Sequence, residues 1–191
     1  MKRRTLLQAG LAGAAIIATG TTAKAQSETK PTEESPMDIV IAADPFAVDL
    51  KDAVVEHLKE KGHTVLDVGA TKDNQVAYYD CAPTAAKALQ DGKAKRAILF
   101  CGTGAGMAIV ANKFKGVNAV CVESVFAARM ARSINDANVL TMGAMIVAPW
   151  MANEMVDAWM DTKHTEGLEQ FSDFLKGALK EVDDINRAQC K

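Results

Sequence analysis

The stretch Arg96-Ala-Ile-Leu-Phe-Cys101-Gly-Thr-Gly-Ala-Gly106-Met-Ala-Ile-Val110 constrains this chain more than any other. A run with the apolar character of a buried strand leads straight into glycines at 102, 104 and 106, and then into an apolar helical pattern. A strand–loop–helix junction of this kind belongs to α/β architecture. It points several backbone N–H groups at one spot, where a helix N-terminus adds positive potential. That spot suits an anion, whether a phosphate or an oxyanion that develops during a reaction. Cys101 stands at its mouth, and a thiol, with an ordinary pKa of about 8.5, ionises more readily beside a helix N-terminus. A thiolate facing an oxyanion cradle can remove a proton next to a carbonyl. The plainer readings are a tight glycine turn and a small core cysteine. The dinucleotide fingerprint is not met, because Met107 stands where its third glycine belongs. A P-loop is excluded by the absence of Gly-Lys-Ser/Thr.

The first residues read as an address. Lys2-Arg3-Arg4-Thr5-Leu6-Leu7 is a basic start, Ala9 to Thr22 is mildly apolar, and Ala23-Lys24-Ala25 has a small-x-small cleavage pattern. The paired arginines and modest hydrophobicity favour the twin-arginine route, which delivers folded protein to the periplasm. The apolar run is shorter than the roughly 20 residues of a membrane span, so no stable membrane anchor is expected after cleavage. Residues 26–36, with Pro31 and Pro36, read as a flexible linker, and 37–191 has the length of one α/β domain.

Loss of residues 1–25 changes the balance from 22 basic against 24 acidic residues to 18 against 24, a formal charge of −6. Nucleic acid is a poor partner for such a chain. The four cysteines have no Cys-x-x-Cys spacing, and the three histidines are scattered, so neither a disulfide framework nor a metal site is expected.

Apolar runs alternate with helical patterns through the rest. Strands are expected at 38–43, 64–68, 97–101, 117–122 and 139–147, the last containing Gly143. Helices are expected at 48–61, 81–90, 107–113 and 125–134, from Pro149 to about 161, and over roughly 170–185. This order predicts a three-layer, Rossmann-like fold: a parallel five-stranded sheet with helices on both faces. Ligands of such sheets bind at the carboxyl ends of strands, which places Asp44, Cys101 and the Ser124 region on one edge.

Several blocks resemble the ribose-5-phosphate isomerase B and galactose-6-phosphate isomerase family. They are Cys101-Gly-Thr-Gly-Ala-Gly-Met-x-x-x-x-Asn-Lys113 and Asn135-Asp-Ala-Asn-Val-Leu140 with Met142-Gly143. Ala43-Asp44, Gly62-His-Thr-Val-Leu-Asp-Val-Gly69 and Val76-Ala-Tyr78-Tyr-Asp80 support them. The resemblance covers 37 to about 167. It implies a homodimeric aldose–ketose isomerase that uses no metal or cofactor. It further implies that Cys101 is the base, and that Thr103 and the amides of Gly102, Gly104 and Gly106 stabilise an enediolate. Asp44, Tyr78 and Asn135 would bind the sugar.

The departures carry information too. The family's Ser-Asp-His is here Ala43-Asp44-Pro45, and the His that assists ring opening is Ile134. An Arg after the glycine matching Gly143 is Met145. Two phosphate-binding arginines align with Glu169 and Asp173. At an effective dielectric of 20, unit charges about 4 Å apart interact by roughly 4 kcal/mol, so this exchange turns attraction into repulsion. The expected substrate is an unphosphorylated or modified sugar, open-chain or keto. The alternative is a periplasmic sugar-binding protein without turnover. Met-rich segments around Trp150 to Met155 and Trp159-Met160 are candidates for dimer contacts or for core.

Overall fold

The computed structural model describes residues 39–189, with side chains to 188. The export signal, the linker and Cys190 lie outside the described residues. Five strands carry the fold: β1 (Ile39–Ala43), β2 (Val65–Asp67), β3 (Arg96–Cys101), β4 (Ala119–Cys121) and β5 (Val139–Gly143). They form one parallel sheet in the order β2-β1-β3-β5-β4. The helices between and after them are α1 (Val48–Glu60), α2 (Tyr78–Gln90), α3 (Ala105–Ala111), α4 (Val125–Asn135), α5 (Pro149–Asp161) and α6 (Ser172–Gln189).

The central strands are buried along their whole length, which is why they read as unbroken apolar runs. Alternate residues serve opposite faces. Ile39, Ile41, Ile98 and Phe100 pack with α1, α4 and α5, among them Leu50, Val54, Ala131, Met155 and Trp159. Val40, Ala42, Leu99 and Cys101 pack with α2 and α3 through Cys81, Ala85, Met107 and Ala111. The helix after β3 therefore goes to one face, while those after β1 and β5 go to the other. In sheets of this kind ligands bind where such connections diverge, here at the carboxyl end of β3.

Several boundaries differ from the sequence expectation for local reasons. Helix α2 begins at Tyr78, not Cys81, since Ala77 O accepts from both Asp80 N and Cys81 N. Strand β5 ends at Gly143, where Ile146 and Val147 turn back to donate to its carbonyl. Edge strand β4 is cut to three residues. Beside it, Asn112 exchanges two 2.8 Å side-chain bonds with Ala119, and Asn138 ties Asn118 and Gly116. These motif asparagines therefore staple loops. Helix α3 has seven residues, so the anion cradle rests on loop amides more than on helix length. Met155 and Trp159 are core, whereas Trp150 is 81% exposed.

Candidate active site

Strand β3 delivers Cys101 to the carboxyl edge beside Gly143, its register partner on β5. The chain then folds over the thiol, and Cys101 Sγ accepts the Gly104 N–H at 3.0 Å. That turn needs Gly104 in the left-handed region, φ +81°. Space forbids a side chain there as well. A Cβ would lie 2.8 Å from the Met142 carbonyl carbon and 2.9 Å from Cys121 Sγ. Gly143 is closed off still more tightly, since its Cβ would sit 2.5 Å from the Thr103 carbonyl carbon. The strand end and the loop touch backbone to backbone. At Gly106 the neighbour is the Tyr78 ring, 3.1 Å from a would-be Cβ, and at Gly102 it is the Met145 methyl, at 3.3 Å.

Asp44 leaves β1 on the other side of Cys101. Its N–H donates to Phe100 O and its Oδ1 accepts from Phe46 N, each at 3.0 Å. Burial pushes this carboxyl above its ordinary value, against the backbone bonds from Phe46 and Ala47. Beneath it, Cys81 Sγ points to Ala43 O at 3.6 Å. Burial first, and the Asp44 charge second, push the Cys81 thiol up to about 12. Cys81 is thus a neutral thiol and no candidate base. The backbone that carries Asp44 is clamped from behind. Ala70 N donates to Ala43 O at 2.8 Å, and a Cβ on Gly69 would meet Ala43 N at 2.3 Å. Buried Lys51 pairs with Asp67 and donates to Ala70 O at 3.0 Å, holding that loop in place.

The structure gathers Asp44, Tyr78, Cys101, Gly102, Thr103, Gly104 and Gly106 at the carboxyl edge of the sheet. Ser124 is there too, capping α4 by accepting from Ala127 N. Asn135 is not among them. It ends α4, an 11-residue helix that runs from the carboxyl edge towards the opposite one, roughly 16 Å at 1.5 Å per residue. Ile134 goes with it. Glu169 and Asp173 follow a loop that is tied to the same end of α4 through Thr165 N to Ser133 O and Ser133 Oγ to Glu166 O. Cys121, which sequence spacing did not single out, ends β4 with its Sγ against Gly104. Among the described residues, no group of three or more His, Cys, Asp or Glu gathers as for a metal.

This arrangement puts a thiol under the Gly104 N–H at the end of β3, with the buried Asp44 carboxyl after the neighbouring strand β1. The model of the family described as Ribose/Galactose Isomerase matches residues 39–172. The chain belongs to this family. It is 45% identical over 154 residues to a 4-deoxy-4-sulfo-D-erythrose isomerase from a Clostridium species, covering 80% of this chain and 97% of that protein. It is 42% identical to a D-erythrulose-4-phosphate isomerase from Pectobacterium atrosepticum, covering 69% and 87%. Among solved structures, ribose-5-phosphate isomerase B of Clostridium thermocellum superposes with a TM-score of 0.73 at 32% identity, covering 80% and 99%.

As a member of the Ribose/Galactose Isomerase family the chain is an aldose–ketose sugar isomerase of the ribose-5-phosphate isomerase B type. The five-stranded Rossmann-like sheet expected from the sequence is the fold of these structures. The binding-only alternative gains nothing from these relatives, which carry isomerase names.

Proposed function

We propose that Cys101 is the proton-transfer base of this isomerase, and that its substrate is a short sugar that stays open-chain. The carrying observation is the Cys101 thiol under the Gly104 N–H at the strand end, across from buried Asp44. As thiolate, Cys101 takes the proton from the carbon next to the carbonyl. The electron pair moves onto the carbonyl oxygen and gives an enediolate. Thr103 and the loop amides other than that of Gly104, which faces the thiol, hold that charge where it develops, the arrangement that lowers such barriers most. Cys101 returns the proton to the adjacent carbon, and one hydroxyl proton passes between the two oxygens. Asp44 orients the hydroxyls, with Tyr78 closing the side of the pocket over Gly106.

The substrate reading rests on Ile134 and on the two relatives named for tetroses carrying a group at carbon 4. A four-carbon aldose closes a five-membered ring through its O4. With that position phosphorylated, or replaced by sulfonate, no such ring forms and no ring-opening acid is required. Ile134 fits that need. Met145, Glu169 and Asp173 favour the singly charged sulfonate over a phosphate ester, which carries about −1.5 to −2 charges at neutral pH.

The same reading includes a homodimer. Ile134, Asn135, Glu169 and Asp173 lie away from Cys101 of their own chain, so a second copy is what would bring them to a pocket. Around the carboxyl edge Phe46, Phe126, Met145 and Trp150 are exposed, an apolar rim suited to such contact. The sequence of residues 1–25 supports export to the periplasm by the twin-arginine route.

A panel of free, phosphorylated and sulfonated sugars, followed by NMR, tests the proposal. C4-substituted tetroses should turn over best, the sulfonate ahead of the phosphate, and ribose 5-phosphate and galactose 6-phosphate poorly. Preference for ring-forming sugar phosphates would overturn the substrate reading.

A further inference from the structure

One peptide unit joins two thiols. The Thr103–Gly104 peptide donates its N–H to Cys101 Sγ at 3.0 Å, and its carbonyl accepts from Cys121 Sγ at 3.6 Å, a sulfur hydrogen-bond distance. The contact is fixed from both sides. Gly104 packs so closely on Cys121 Sγ that a Cβ would stand 2.9 Å from it, and Gly143 presses on the Thr103 backbone from β5.

We infer that Cys121 is a positioning residue for Cys101, polarising and fixing the Thr103–Gly104 peptide so that its N–H binds the Cys101 thiolate. An amide whose oxygen accepts a hydrogen bond becomes a better donor at nitrogen, because hydrogen bonds in a chain polarise one another. The direction requires Cys121 to remain a protonated donor. Burial pushes its thiol above the ordinary value against the Thr141 side chain, which acts the other way, and nearby Glu123 and Cys101 add to the rise. The acid–base setting is otherwise sparse. Asp44 from the β1 exit and Tyr78, Asp80 and Cys81 from α2 lie on one side, and Glu123 beyond β4 on the other. Strand β5 and helix α3 carry no titratable side chain. The inference rests on the reading of Cys101 as base.

The test uses Cys121→Val, which keeps volume and removes the donor, and Cys121→Ser, which keeps a donor. Both are made in the full chain. Site-resolved iodoacetamide alkylation of Cys101 is followed against pH by mass spectrometry, which separates it from the other cysteines. The acidic limb of kcat/KM is recorded on the best sugar of the panel. In Cys121→Val the alkylation midpoint should move to higher pH, and the neutral-pH rate should fall about two- to fivefold, the size of a weak S–H···O contact. kcat should fall by the same factor with KM unchanged, and Cys121→Ser should recover most of the loss. A purely structural role would slow alkylation equally at every pH, and that result, or superimposable profiles, would overturn the inference. A shifted alkylation midpoint with unchanged kcat would uphold the coupling and refute Cys101 as base.

Discussion

The two edges of the sheet use glycine for opposite reasons. At the carboxyl edge Gly69, Gly104 and Gly143 leave no room for a Cβ, because backbone atoms lie 2.3–2.8 Å from where it would be. At the turns that end α1, α2 and α3, Gly62, Gly92 and Gly116 have positive φ but nothing within 4 Å of a would-be Cβ. One edge needs glycine for space, and at Gly104 for its positive φ as well, the other for backbone conformation alone. Polar chemistry divides similarly. At the carboxyl edge the Gly104 amide turns towards the Cys101 thiol, whereas the far ends of α1 and α4 carry ion pairs such as Lys61–Asp157 and Arg132–Asp136. The candidate site is thus built from close backbone contact, and the opposite edge from ordinary caps and charges.

Gly143→Ala should cost the most. Its methyl meets the Thr103 backbone, which cannot move without displacing the Gly104 N–H from Cys101. An activity loss of about a hundredfold or more is expected, in line with misplacement of a positioned reacting group, together with a lower Tm. Gly116→Ala meets no atom and should cost about 1 kcal/mol through its left-handed backbone alone, with kcat unchanged. Equal effects at the two positions, measured by turnover and thermal melting, would erase the distinction.

Asp44→Asn separates function from stability at the carboxyl edge. The carboxyl is raised by burial, so its contribution to stability is full below the ordinary value of 3.8 and is lost as pH rises through its higher folded value. At neutral pH the amide variant should melt at the same temperature or higher, while activity falls by about tenfold or more. A lower Tm with unchanged turnover would contradict this assignment.

The smallest effect belongs to the α1–α5 contact. Asp157 feels burial that raises it, but Lys61 and His57 more than offset this and hold it below 3.8. Its contribution is present above pH 3.8 and is lost as pH falls through the lower folded value. Asp157→Asn should cost about 0.5–1 kcal/mol near neutral pH and remove that acid component from the Tm profile, leaving activity intact.

The sheet was legible because β1, β3 and β5 are buried on both faces and so read as plain apolar runs. Ends were harder: the start of α2 depends on the Ala77 carbonyl, and that of β4 follows Asn118, whose N–H goes to the Asn138 side chain, neither of which periodicity records. In the site, Cys101 and its glycines announced themselves by local sequence, and Asp44 by its place after a strand. Asn135 could not be placed without knowing which way α4 runs. Cys121 stayed invisible since its contact with Gly104 joins two strands that are not neighbours, with β5 between them.

We propose that Cys101 carries a proton between adjacent carbons of an open-chain sugar. Its most direct test is NMR of 4-deoxy-4-sulfo-D-erythrose in D2O with the wild-type chain and with Cys101→Ser. The wild type should convert aldose to ketose with deuterium entering at the carbon that receives the proton, and Cys101→Ser should slow this by orders of magnitude while keeping the wild-type Tm. Undiminished conversion by Cys101→Ser would contradict the account, as would a wild-type chain that binds the sugar but exchanges no deuterium.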